Sequence, residues 1–182
     1  YYAAANCTVT GSDNLVAGVK AGRKLTDGNC NVFLGGYAAS GGVVTGDFNI
    51  ALGMNAGQSI TSAGYNIMIG KCAGCSTQTG MNAVYIGLQA GECANGTYAN
   101  VAIGRRAHCA HTTGNYNSIF GPGAGYNHIS GSENVAIGKG VELPSTTGST
   151  QLAIGCCAKH WIVGNANFNV GIGTTNPDPA VG

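Results

Sequence analysis

Asn100-Val101-Ala102-Ile103-Gly104 is the stretch from which the fold can be read, because the chain keeps returning to it. Close copies are Asn31-Val32-Phe33-Leu34-Gly35, Asn49-Ile50-Ala51-Leu52-Gly53, Asn66-Ile67-Met68-Ile69-Gly70 and Asn134-Val135-Ala136-Ile137-Gly138. Looser copies end at Gly18, Gly87, Gly121, Gly155 and Gly173, so that ten repeat glycines recur every 17 or 18 residues. A fixed period over most of a chain means a stack of similar units rather than a globule around one centre.

Each unit reads alike. A five-residue strand ends in glycine, and an alanine follows three residues later at Ala21, Ala38, Ala56, Ala73, Ala90, Ala107, Ala124 and Ala158. A variable segment then leads to the next strand. No window shows a 3.6-residue apolar period, and glycine every few residues costs a helix about 1 kcal/mol each. The pattern predicts an all-β parallel β-solenoid, or β-roll, of about ten 17-residue coils, each with two short strands and two turns. Residues 1–13 are expected as a lead-in, 14–158 as the solenoid and 159–182 as a cap and connector. The repeat breaks at Lys159-His160-Trp161-Ile162-Val163-Gly164, and terminal repeats are normally atypical.

Alternation within the strand sorts the side chains into faces. The columns one and three residues before the repeat glycine are Val, Ile and Leu almost throughout, and they are expected to fill the coil. The column between them is Val16, Phe33, Ala51, Met68, Tyr85, Ala102, Ile119, Ala136, Ala153 and Gly171, and it is expected to point outward. An uncharged outer strip of that length marks an interface. Side-by-side packing into a homotrimer is the expected result. Asn14, Asn31, Asn49, Asn66, Asn100, Asn117, Asn134 and Asn169 recur one coil apart, with Ala83 and Gln151 interrupting. Stacked amides at that spacing are expected to form a structural ladder.

Composition narrows the function. Only 8% of the 182 residues are charged and the formal net charge is +1, so the basic stripe of a nucleic-acid binder is missing. Arg105-Arg106 is the one paired basic spot and reads as an exposed turn. No apolar run reaches the roughly 18 residues of a membrane span. The start, Tyr1-Tyr2-Ala3-Ala4-Ala5, has neither methionine nor the blocks of a signal peptide, so a processed or partial chain is expected. Eight cysteines fit an oxidising, extracellular setting.

No catalytic motif appears, and the seven acidic residues are scattered, so neither catalytic residues nor a cofactor is expected. Cys75, Cys93 and Cys109 lie five, six and five residues past their glycines, and Cys93 could form a disulfide with either of the others. His111 and His128 both lie seven past theirs and should stack, with His108 and Cys109 nearby. Their spacing matches no zinc signature, so they read as turn histidines and no metal is expected. Asn6-Cys7-Thr8 and Asn95-Gly96-Thr97 match glycan acceptor triplets.

The repeated Asn-Val-Ala-Ile-Gly with alanine three residues on resembles the head repeats of trimeric autotransporter adhesins, over roughly Asn14 to Gly155. That resemblance implies trimeric left-handed parallel β-rolls that bind host surfaces, although those repeats are usually shorter and nearly free of cysteine. The tail Val170-Gly171-Ile172-Gly173-Thr174-Thr175-Asn176-Pro177 resembles the segment that precedes the self-cleaving intramolecular chaperone domain of phage tail fibres and related virus appendages. Together they imply a trimeric virion fibre, a non-enzymatic structural protein at the virion surface or otherwise extracellular. Its partners would be its own copies and a host surface glycan or protein. The alternatives are a bacterial adhesin head and a subunit of an extracellular structural filament. Neither family fixes a receptor-binding residue in the repeats. The variable turns around Ser59–Gln78, Glu92–Tyr98 and His108–Tyr116 are where host contact is expected.

Overall fold

The computed structural model describes residues 8–157, 159–167 and 169–174. The chain is a parallel β-solenoid with no helix among these residues. Its single sheet is built from β1 (Leu15–Ala17), β2 (Val32–Leu34), β3 (Ile50–Leu52), β4 (Ile67–Ile69), β5 (Val84–Ile86), β6 (Val101–Ile103), β7 (Ser118–Phe120), β8 (Val135–Ile137), β9 (Leu152–Cys156), β10 (Lys159–Gly164) and β11 (Val170–Ile172). The strands lie side by side in chain order. Eight parallel pairs join β1 to β9 in full register, so Val84 faces Val101 and Ile86 faces Ile103. At roughly 4.8 Å per rung these turns span about 38 Å.

The sequence implies about ten coils, but the parallel stack ends at β9. β10 folds back antiparallel on β9, with a bulge between His160 and Ile162, and β11 folds back on β10. The segment with the broken repeat is thus a reversal of direction. Ala158, Thr175, Asn176, Pro177, Asn6 and Cys7 lie outside the described residues.

Each coil from β1 to β8 holds one three-residue strand, not two. The rest is a run of turns, because glycine and left-handed residues bend the chain too often for a second strand. Ala107 N–H donates back to the Gly104 carbonyl at 3.1 Å and His111 N–H to the His108 carbonyl at 3.3 Å, two successive turns that most coils repeat. These turns still bond from coil to coil, as from Gly91 N–H to the Ala107 carbonyl at 3.0 Å. Isolated bridges such as Met81 with Tyr98 mark the far side.

The alternation holds, but the two faces are exchanged relative to the sequence reading. Phe33, Ala51, Met68, Tyr85, Ala102, Ile119, Ala136 and Ala153 are all 0% exposed and form the core. The flanking columns face out: Leu15, Phe120 and Ile137 are exposed, and most of their neighbours are half-buried. Alternation fixes only that the two sets oppose each other. The interior is narrow, and its fillers compensate in size from coil to coil. Where Tyr85 fills it, Gly91 and Ala94 sit opposite. Where Ala102 leaves room, His108 and His111 enter. The repeat alanines from Ala21 to Ala124 complete this wall at 0% exposure.

The repeat glycine has a double cause. Gly104 has φ +136°, outside the range of side-chain-bearing residues, and a Cβ there would lie 2.6 Å from the Gly121 backbone. Gly104→Ala should therefore lower the unfolding free energy by about 2 kcal/mol or more, read as a fall in the thermal midpoint. The exposed Thr113→Ala should leave the midpoint nearly unchanged.

Candidate functional site

The asparagine column is buried along the core edge and joins successive coils through its amides. Asn31 Nδ2 donates to Asn14 Oδ1 at 3.1 Å, Asn49 to Asn31 at 3.1 Å and Asn66 to Asn49 at 3.0 Å. The run restarts beyond Ala83, with Asn117 donating to Asn100 at 3.0 Å and Asn134 to Asn117 at 2.9 Å. Gln151 Nε2 reaches Asn134 Oδ1 at 3.3 Å and closes it. The same oxygens accept the next coil's backbone N–H, as from Asn117 N–H to Asn100 Oδ1 at 2.9 Å. The second amide proton goes to a carbonyl near the end of the coil, as from Asn117 to Gly131 at 3.0 Å. At the Ala83 gap the Tyr85 hydroxyl meets Thr97 Oγ1 at 3.1 Å and also the Asn100 amide. Asn169 precedes the antiparallel β11, and its N–H donates to Asn165 Oδ1 at 3.2 Å.

Cys75, Cys93 and Cys109 are free thiols, and the expected disulfide does not form. The reason is register. Cys75 Sγ lies 3.4 Å from Gln58 Oε1 and Cys109 Sγ 3.4 Å from Glu92 Oε2, so one column holds Gln58, Cys75, Glu92 and Cys109. Glu92, not Cys93, stands between the two cysteines. The six-residue offset of Cys93 shifts it one place, onto a neighbouring column. Burial pushes the Cys75 thiol up to about 11. Burial and the hydrogen bond to Glu92 push Cys109 up to about 12, so both stay protonated at neutral pH.

The variable turns divide. Ser59, Thr61 and Gln78 join Gly41 and Gly42 around a shallow polar hollow of about 290 Å³. Around Glu92–Tyr98, Cys93, Asn95, Gly96 and Tyr98 are exposed. The third turn is only half outward: Thr112, Thr113 and Tyr116 are exposed, whereas His108, Cys109 and His111 are buried.

These histidines form the most unusual group of the core. His108, His111 and His128 are at most 1% exposed, and one ring nitrogen of each lies within 4.8 Å of the others. They lie in the turns, and His111 and His128 stack with centroids 5.4 Å apart as the spacing suggested, but their rings point into the core. His108 sits at φ +53° in a column otherwise made of Gly22, Ala39, Gly57, Gly74, Gly91 and Gly125. His108 and His128 share a hydrogen bond between Nε2 and Nδ1 at 2.9 Å. His111 lies face to face with His108, centroids 3.8 Å apart. His111 Nε2 reaches the Gly114 carbonyl at 3.1 Å and His128 Nε2 the Gly148 carbonyl at 3.4 Å.

One assignment satisfies every ring proton. All three rings are neutral with the proton on Nε2, which leaves bare lone pairs at the buried Nδ1 of His108 and His111. These are the atoms a metal ion could take. In the present arrangement His108 and His111 face each other, so their lone pairs lie in near-parallel planes and do not converge. Among the described residues no carboxylate adjoins them to offset a buried cation. The cluster is built as a neutral stack.

Largest of all is the outward sheet face. Val32, Ile50, Ile67, Val84 and Val101 form one column, and Leu34, Leu52, Ile69, Ile86 and Ile103 the other. The second column continues through Phe120, Ile137, Ile154, Ile162 and Ile172 across the antiparallel strands. Phe48 and Tyr65, stacked at 5.0 Å, widen the strip on one side. Sequence reasoning found an apolar strip but placed it on the wrong columns. The usable signal was the ladder: asparagines share their face with the centre column, and amide rungs gain most when shielded from water.

Compared with protein families, with characterised proteins and with solved structures, the chain matches none.

The ladder and the histidine stack each have a measurable consequence. Asn117→Ala strips the acceptor from two donors of Asn134 and the donor from the Gly131 carbonyl, and should cost about 1–3 kcal/mol in equilibrium unfolding. Burial holds His108 well below 6.5, lowers His111 to about 4 and lowers His128. The unfolded chain then takes up protons that the folded core refuses, so stability is full above about 6.5 and falls as the pH drops towards 4. Burial raises Glu142, which acts in the opposite sense. His111→Leu restores the residue type of Leu25 in its column, and its thermal midpoint should fall less than the parent's between pH 7.5 and pH 4.5.

Proposed function

We propose that the chain is the rod of a non-enzymatic host-attachment fibre of a virus, assembled as a side-by-side homotrimer. The observation that carries this reading is the outward sheet face. It runs about 38 Å along the rod, and its three-residue strands make it about 10 Å wide at roughly 3.3 Å per residue. That area is about half the ~800 Å² per partner of a standard protein interface, and the stacked Phe48 and Tyr65 add to it. A strip this long, with only Ser118 polar in its two strand columns, is disfavoured in water.

A second copy of the same chain fits it best. The strip repeats every coil, so an identical strip alongside can match it rung for rung, and rotation about a common axis closes the set without a free strip. The likeness of the repeats to trimeric adhesin heads favours three copies. The likeness of the tail to the segment before fibre chaperone domains favours a virus over a cell surface. In this role the solenoid supplies stiffness and the outward turns supply host contact, and no bond-making chemistry is needed.

Sedimentation equilibrium tests the assembly. The parent chain should sediment as three copies. Ile86→Lys puts a charge in the middle of the strip while leaving the core untouched, and should yield single copies with an unchanged β signature in circular dichroism. A parent chain that stays monodisperse as one copy, at concentrations where Ile86→Lys behaves identically, would remove the basis of the reading.

A further inference from the structure

The residues two places beyond each repeat glycine form one surface column: Lys20, Tyr37, Asn55, Cys72, Gln89, Arg106, Gly123, Gly140 and Cys157. All have φ between 56° and 69°. Since seven of the nine carry side chains, this backbone shape does not itself call for glycine. At Gly123 and Gly140 it is the side chain that is missing. A Cβ would meet nothing nearer than 3.7 Å on Gly123 and 3.8 Å on Gly140. Two adjacent bare positions in a filled column leave a notch, with Arg106 at one end and Cys157 at the other.

The notch encloses about 320 Å³ and is walled by Arg105, Arg106, Lys139, Pro122 and Tyr126. Three of the chain's eight lysines and arginines thus surround one hollow, and among the described residues no carboxylate lines it. Three cations around one hollow leave a local positive potential in a chain that is otherwise nearly neutral, and the neighbouring carboxylates are engaged outside the lining: Glu92 accepts from Gln89 and Glu142 from Asn127. Arg106 is held in place: Nε donates to Gln89 Oε1 at 3.0 Å, and the guanidinium lies 5.6 Å from the Tyr126 ring centroid. Neither contact commits its terminal nitrogens. The notch lies past the end of strands β6 to β8, beside the outward strip and not on it, so side-by-side copies need not cover it.

We propose that this notch binds a carboxylate-bearing sugar residue of a host surface glycan. A volume of about 320 Å³ is at the small end of the ~300–1,000 Å³ of ligand sites, the size of a sugar unit and not of a polymer segment. Guanidinium groups grip carboxylates by paired, charge-assisted hydrogen bonds. Pro122, the two bare glycines and Tyr126 offer apolar surface to the C–H face of a sugar ring. A nucleic acid would need cations spaced along a track, and these three form one cluster. The proposal names the ligand class for the attachment role above and rests on that role for its biological purpose.

The test is calorimetric titration of the purified assembly with tetrasaccharides of galacturonic acid, glucuronic acid and sialic acid. At least one should bind saturably, one per chain, while neutral tetragalactose does not. Gly123→Gln, which copies Gln89 of the same column into the notch without removing a charge, should weaken that binding at least tenfold. Arg105→Ala should do the same. Gly140→Asn, which repeats Asn55 of that column, serves as a second filler if the first fails to fold. Binding that survives both fillers, equal competition by inorganic phosphate, or no binding to any acidic tetrasaccharide would overturn the proposal. Adsorption to host cells is scored separately. Sugar binding without adsorption would sink the attachment role and keep the site. Adsorption unaffected by the fillers would sink the site's part in attachment and keep the role.

Discussion

Backbone hydrogen bonds between one coil and the next are the constraint to which everything else in this molecule conforms. Val84 N–H reaches the Asn100 carbonyl, and Val101 N–H reaches Asn117, each at 2.8 Å. Such bonds form only when neighbouring coils have the same shape. That demand propagates to the side chains, because each residue then sits on its counterpart about 4.8 Å away. Asparagine can bond to asparagine, glycine can let backbone meet backbone, and apolar columns can run unbroken. It also explains why so many ordinary residues, among them Tyr65, Asn82 and Tyr116, hold φ near +60°. The left-handed bend is costly for one residue in isolation, but bonds on both sides hold it here.

Inside this frame the core behaves as a shared volume. A coil offers a few inward positions, and the chain fills them differently each time: Phe33 in one coil, Tyr85 with Gly91 in another, Ala102 with two histidines in a third. The histidine stack is the extreme case. Its protons are all satisfied by a neutral arrangement, so the group packs like an aromatic filler at neutral pH and becomes a weakness only where imidazole charges.

The period, the all-β class and the parallel stacking were all legible in the sequence, because each follows from spacing alone. Which face of the strand is inside was not, since alternation is symmetric between the two choices. Size variation in the Phe33–Ala51–Met68–Tyr85 column was the clue, because an outer contact face tends to uniform aliphatics and a crowded interior to compensation. The thiol column was misread because an offset of one residue, trivial along the chain, moves a side chain to a different column. The notch beside Arg106 was invisible for a related reason. Gly123 and Gly140 are 17 residues apart and look like ordinary turn glycines until the coils are stacked.

The reversal at β10 gives the two ends of the rod different characters. Among the described residues no strand pairs with the outer edge of β1, whereas the parallel run is folded back on itself at β9. Growth of such a molecule in evolution is therefore directional. Whole coils can be duplicated or lost within the parallel run without disturbing the terminus that finishes it. Reach then changes in increments of about 4.8 Å per 17-residue insertion, and the chain amounts to a ruler whose length is set by counting rungs.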